Sequence, residues 1–294
     1  MSDRVDIAVP GGSLAAYRLG ASHADAPLVL AIHGITSTSR FWLATARALG
    51  DRAALIAVDL RGRGRSSALP GPCGLDAHVR DMIAVLDAFG LERAVIAGHS
   101  LGAYIAARLA TSHADRVDRL VLVDGGLTIP GTTRVADPAQ FIARFLGPTF
   151  ERLAMTFPHL AAYQDWWARH PAVAAADVRR DDLDAYAAHD LIGAPPRMHS
   201  PITPEVVRDD GLDLVGEPDA ARLTVPAVFL AAPRGMVDDP NPMQPLADVE
   251  AWAAADPERR RAILVPDTNH YSIAWGEHGA RAVADAVAAA VGAG

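Results

Sequence analysis

No lysine occurs in the 294 residues; all 27 basic side chains are arginine. The absence excludes a Schiff-base lysine for a pyridoxal cofactor, a P-loop lysine and the strand lysine of protein kinases. Cysteine is nearly as scarce. Cys73 stands alone, so no internal disulfide can form and a thiolate zinc site is ruled out. It lies in a Gly-Pro-rich stretch, residues 70–74, with no histidine arranged around it, and reads as an incidental loop residue. Nowhere is there an uncharged apolar run of about 18 residues, the length a membrane span needs. The first residues, Met-Ser-Asp-Arg-Val-Asp, lack the basic and apolar regions of a signal peptide. The expected location is the cytoplasm. Positive charge is also in deficit: the formal net charge is −8. The only compact basic run, Arg61-Gly62-Arg63-Gly64-Arg65, is short and glycine-broken and reads as a solvated loop. A phosphate backbone needs a concentrated basic face, so nucleic acid is not expected as a partner.

What is present is apolar. Half of the residues are hydrophobic, enough to bury a sizeable core. Residues 5–9 and 14–19 flank Pro10-Gly11-Gly12 and predict a β-hairpin. Short continuous apolar runs then alternate with helical patterns. Strands are expected at 28–32, 54–58, 94–97 and 120–123, and helices at 40–49, 76–89 (closed by Gly90) and 101–110. Such alternation implies parallel pairing through right-handed crossovers. From 127 to 222 no buried strand is legible. Phe141, Phe145, Phe150, Phe157, Trp166 and Trp167 mark this stretch as a helical insertion. Alternation resumes with strands at 225–230 and 261–265 and helices at 244–255 and 277–291.

The segment that carries chemistry is Gly98-His99-Ser100-Leu101-Gly102, placed between a buried strand and a helix. This is the context of a nucleophile elbow, a sharp turn that lifts a serine hydroxyl above the sheet edge and needs small residues two before and two after it. The helix that follows aims its N-terminus at the site, favouring negative charge that develops there. A serine hydroxyl needs a base to accept its proton. Of 11 histidines, His270 sits in the loop after the last predicted strand; His278 falls at the start of the closing helix, His99 beside the elbow, and His33 after an early strand.

With His33-Gly34-Ile35, the run Asp59-Leu60-Arg61-Gly62-Arg63-Gly64-Arg65-Ser66, the elbow and the late histidine, the chain resembles the α/β-hydrolase superfamily over nearly all its length. The resemblance implies a mostly parallel, eight-stranded sheet flanked by helices. It also implies a core of residues 1–126 and 223–294, and a helical cap at 127–222. Ser100 is then the nucleophile and His270 its base, in the order serine, acid, histidine. The backbone N–H groups of Ile35 and Leu101 would form the oxyanion hole. His33 would support that loop, and the Asp59–Ser66 run would set loop geometry by ion pairs. The acid is open between two residues. The usual position after the seventh strand falls on Gly235, a departure from the family pattern; Asp238 could replace it if the loop bulges. Asp124, at the tip of the sixth strand before Gly125-Gly126, is the favoured choice.

A serine in this place disfavours relatives with an aspartate nucleophile. It permits hydrolysis of a carboxylic ester or lactone through an acyl-enzyme, with C–C bond hydrolysis or thioester hydrolysis as alternatives. A non-catalytic ligand-binding protein on the same shell is a further alternative. The expected partner is a small molecule of apolar, ester-like character, with no cofactor. The substrate and the oligomeric state are not encoded in any motif.

Overall fold

The computed structural model describes residues 4–69, 71, 73–132 and 135–293. Residues 1–3, and Pro70 and Pro72 of the loop ahead of Cys73, lie outside them. Eight strands form one sheet: β1 (Arg4–Val9), β2 (Gly12–Gly20), β3 (Leu28–Ile32), β4 (Ala54–Val58), β5 (Ala94–His99), β6 (Val117–Val123), β7 (Ala227–Ala231) and β8 (Arg260–Leu264). Their order is β1-β2-β4-β3-β5-β6-β7-β8. β1 and β2 form the expected antiparallel hairpin, and β2 joins β4 antiparallel; every later pairing is parallel. β6 begins at Val117, before the 120–123 expected: Asp118 and Arg119 interrupt the apolar run, but the strand continues through them, with Arg119 paired to Val95 and Asp118 the extra residue at a register shift.

Strand periodicity sorts the core into two layers. Leu30, Ile32, Ile56, Ile96, Leu120, Leu122 and Phe229 pack on one face against α2 (Leu75–Ala88) and α3 (Leu101–Ser112). Val29, Ala31, Leu55, Ala57, Val95, Ala97, Val121 and Leu230 pack on the other. That second face carries the smaller side chains, and alanines of the closing helix meet it. The helices there are α1 (Leu43–Leu49) and, at the chain's end, α12 (Glu277–Gly292), which touch each other. α2 ends as expected: Gly90 takes the left-handed φ of 67° and the Leu91 N–H returns to the Leu86 carbonyl.

Between β6 and β7 the chain forms α4 (Pro138–Phe145), α5 (Gly147–Leu153), α6 (Leu160–Arg169), α7 (Pro171–Ala174), α8 (Arg180–Asp190) and α9 (Pro204–Leu212). Among the described residues of this stretch, strand-like pairing is limited to the isolated bridges Phe157–Met198 and Ile192–His199. α10 (Leu246–Ala254) follows β7, and α11 (Ser272–Trp275) follows β8. Among the described residues no helix is long and apolar enough to cross a membrane.

The strand order places the site. From β3 the chain crosses to β4 on one side, while β5 lies on the other, so the loops after β3 and β5 diverge above the sheet. A crevice opens where they part, at the carboxyl ends of the strands.

Candidate active site

Ser100 occupies the turn between β5 and α3 with φ 53° and ψ −121°, a conformation that a side-chain-bearing residue adopts only under constraint. The constraints are visible. The Ser100 N–H is held by the Val123 carbonyl at 3.0 Å. A Cβ on Gly98 would collide with the Gly102 carbonyl, and one on Gly102 with that of Ile32. The two glycines therefore let strand, turn and helix approach more closely than any other residue allows.

His270 lies in the loop between β8 and α11. Its ring is buried, and its Nδ1 is 2.7 Å from Asp124 Oδ2. A carboxylate only accepts, so Nδ1 carries the proton and Nε2 keeps its lone pair. Asp124 ends β6 in the left-handed region, with φ 46°. Its N–H is bound by the Leu230 carbonyl, and its second oxygen accepts the Ala232 N–H at 3.1 Å. The loop of His270 is fixed on both sides by Asn269, whose Oδ1 accepts the N–H groups of Tyr271 and Ser272. The Asn269 Nδ2 group donates to the Ala172 carbonyl and to Asp238.

Asp238 thus comes within one residue of the histidine without facing it. Its carboxylate takes the Arg234 guanidinium at 2.8 and 3.0 Å and the Asn269 amide at 3.1 Å. Of the two open choices, Asp124 is the residue whose carboxylate meets the imidazole.

Ser100, His270, Asp124, Gly34, Ile35 and Tyr104 line one cavity, closed further by Phe145, Leu146, Leu214, Met236 and Met243 from other segments. About 40 Å³ of it can be occupied by the centre of a water molecule, which makes it narrow. Ile35, in the loop after β3, lines it as well, and Leu101 opens α3 directly after Ser100. Among the described residues the Ile35 N–H makes no hydrogen bond, and it remains free to donate.

Two histidines that sequence reasoning treated lightly support this arrangement. His33 Nε2 accepts the Leu60 N–H at 3.1 Å, so Nδ1 must carry the proton that reaches the Gly34 carbonyl at 2.7 Å. Burial holds its pKa down to about 4, keeping the ring neutral. His99 is buried beside the elbow, and its Nε2 donates to the His270 carbonyl at 2.7 Å. Its ring stacks on Phe41, centroids 4.4 Å apart. Burial, helped by the nearby His270, depresses its pKa well below the ordinary value. Only adjacency to the elbow hinted at His99; its partner lies 171 residues away.

A family model described as the alpha/beta hydrolase fold matches residues 27–163. A solved E-2-(acetamidomethylene)succinate hydrolase superposes with a TM-score of 0.79, covering 99% of this chain and 100% of that one at 19% identity. The chain has the α/β-hydrolase fold. Among curated proteins it is 27% identical over 257 residues to RutD of Caulobacter segnis, described as a candidate carbamate hydrolase, over 86% of this chain and 84% of that protein. The protein of the same description from Caulobacter vibrioides is 31% identical over 180 residues, which span 60% of this chain and 63% of that relative.

In the folded chain the basic run is not the solvated loop its composition suggested. Arg61 and Arg63 are buried, and only Arg65 is exposed. The ion pairs differ from the simplest expectation too. Arg61 forms a two-pronged pair with Asp81, and Arg63 pairs with Asp210 of α9 at 2.5 Å. Asp59 meets His189 of α8 at 2.7 Å and accepts the Ser39 and Arg65 N–H groups. Burial would raise the Asp59 pKa, but these partners outweigh it and hold it at about 2. Glycines at 62 and 64 let this short loop fold back on itself, which hides charge that a linear reading places in solvent. His278, the second residue of α12, is exposed and donates its backbone N–H to Asp177.

The aromatic cluster divides. Trp167 is buried against Tyr186 and Trp275, joining α6 to α8 and α11. Phe145 reaches the cavity wall, while Phe141 stacks on it from behind.

Proposed function

We propose that the chain is a serine hydrolase that cleaves a small carboxylic ester or lactone through an acyl-enzyme. The observation that carries this reading is a single cavity wall bearing a strained serine and a buried histidine whose far nitrogen is engaged by a carboxylate. In this reading Ser100 Oγ attacks the substrate carbonyl and its proton passes to His270 Nε2. Asp124 keeps the imidazole in the useful tautomer and stabilises its cation. The oxyanion is met by the N–H groups of Ile35 and Leu101. The His270 proton then goes to the departing alkoxide, and water, deprotonated by the same base, releases the acid.

Residues 127–222 act as a cap over the core of 1–126 and 223–294. They supply Ile129, Phe145, Leu146 and Leu214 to the cavity. An apolar, narrow chamber favours short uncharged substrates over long chains or charged groups. A carbamate is the second reading, favoured by the description of the Caulobacter segnis relative; the same residues would attack its carbonyl.

The test is turnover of p-nitrophenyl esters of increasing chain length, and of a p-nitrophenyl carbamate, by wild type and Ser100→Ala. Turnover of the shorter esters that Ser100→Ala loses, with a burst of one nitrophenol per chain, supports the reading. Equal activity of the two proteins, or none on any ester or carbamate, refutes it.

A further inference from the structure

The loop that presents the Ile35 N–H is held at three consecutive carbonyls, and two of the holders are charged groups tied to the helices between β6 and β7. A peptide plane fixes the direction of each N–H by the carbonyl before it. Gripping the carbonyls of Gly34, Ile35 and Thr36 therefore aims the N–H groups of Ile35, Thr36 and Ser37. Gly34 is held by His33 and by the Ser37 N–H. The Ile35 carbonyl takes both Nε and Nη2 of Arg63, at 3.0 and 2.8 Å. The Thr36 carbonyl takes Arg152 Nη2 at 2.8 Å and the Tyr186 hydroxyl at 3.3 Å.

Neither guanidinium could be buried here alone, since an unpaired charge in the interior costs several kcal/mol. Asp210 of α9 balances Arg63, both side chains being wholly inaccessible, and Asp190 of α8 balances Arg152 at 3.0 Å. Asp210 is itself placed by the Gly74 N–H and His78. Buried pairs of this kind add little net stability compared with apolar packing, so geometry is their better-supported use. Arg63 and Asp210 stand behind the cavity wall and do not line it.

We propose that Arg63 and Arg152 are positioning residues for the oxyanion hole and that the cap completes it. In this arrangement Asp210 and Asp190 clamp two guanidinium groups onto the Ile35 and Thr36 carbonyls, so the loop is aimed only while α8 and α9 are docked. The proposal rests on the catalytic reading of Ser100.

The experiment uses the full chain and a fluorophosphonate probe, whose attack by Ser100 passes through an oxyanion. Ser100 labelling is timed by intact mass for wild type, Ser100→Ala, Asp210→Asn and Arg63→Lys. Arg63→Lys keeps the charge opposite Asp210 but not the two-pronged grip, and it carries the test if Asp210→Asn does not fold. In variants with a wild-type circular dichroism spectrum, labelling and kcat on a short ester are expected to fall together by roughly 10–100-fold. KM should stay within about threefold, because an interaction expressed mainly in the transition state lowers kcat and kcat/KM alike. The pH midpoint of kcat/KM should not move, since His270 and Asp124 are untouched. Wild-type labelling rates in a folded variant, or a raised KM with unchanged kcat, would overturn the proposal. A wild type that is not labelled at Ser100 overturns the catalytic reading first, and this one with it.

Discussion

His270 Nδ1 and Asp124 Oδ2 lie 2.7 Å apart with both side chains buried, although 146 residues separate them in sequence. Asp238 is near the same loop but spends its carboxylate on Arg234 and Asn269. The two acids therefore give opposite expectations. Asp124→Asn, which keeps the shape but presents an amide to the imidazole, should lower kcat by roughly 10³–10⁴ with little change in fold. Asp238→Asn should cost less than about tenfold, because it loosens Asn269 without touching the histidine ring. Steady-state kinetics of the two variants on one ester decide the matter; the reverse ranking would move the acid to Asp238.

His33 makes stability depend on mild acid. Its folded pKa of about 4 lies below the ordinary 6.5, because burial penalises the charged ring. Between those values the unfolded chain binds a proton that the native state excludes, so stability rises with pH through the window and falls as pH drops from 6.5 towards 4. His99, shifted in the same direction, adds to the slope. Below that window the depressed carboxylate of Asp59 adds a further loss as pH falls towards 2. His33→Gln should remove up to about 2 kcal/mol from the difference in unfolding free energy between pH 6.5 and pH 5. Urea titrations at the two pH values measure it, and an unchanged difference would mean that His33 is not the group responsible.

The sheet and the elbow were legible because their signals are local. Runs such as Leu28–Ile32 and Ala54–Val58 are buried on both faces and read as strands whatever surrounds them. Gly98 and Gly102 are required by backbone contacts within one turn. The buried charges were not legible, since their partners are distant in sequence and several come from the insertion: Arg63 pairs with Asp210, Asp59 with His189 and Arg152 with Asp190, while Arg61 pairs with Asp81 of α2. A sequence shows a charged residue and a glycine-rich loop; only the packed helices show that the charge faces inward. His99 is the same lesson at the elbow, where its neighbours named the turn but not the carbonyl it would meet.

That histidine gives a third expectation. His99 donates from the elbow to the backbone of His270, at 2.7 Å, and its ring fills space between Phe41 and His270. Removing it leaves a buried carbonyl unsatisfied and a void beside the base. His99→Ala should cost about 2–4 kcal/mol of stability and lower kcat at least roughly tenfold. His99→Gln, which can restore a donor, should recover part of the activity. If both variants match wild type in unfolding midpoint and kcat, the support assigned to His99 is not needed.

Two glycine substitutions separate conformational cost from collision. At Gly90 the backbone is left-handed, φ 67°, but a Cβ would meet nothing within 4 Å. Gly90→Ala should therefore cost only the left-handed penalty, about 1–2 kcal/mol. Gly102 is helical and needs no special φ, yet its Cβ would press into the backbone carbonyls of Ile32 and His33. Neither carbonyl can rotate away, because β3 is paired on both sides and the loop after it carries the candidate oxyanion donor. Gly102→Ala should cost more than about 3 kcal/mol, the upper part of the range for overpacking, and any folded fraction should have lost turnover through displacement of the Ile35 loop. Denaturant unfolding of both variants tests the ranking. If Gly102→Ala proves the milder change, close approach of α3 to β3 is not what the second glycine of the elbow secures.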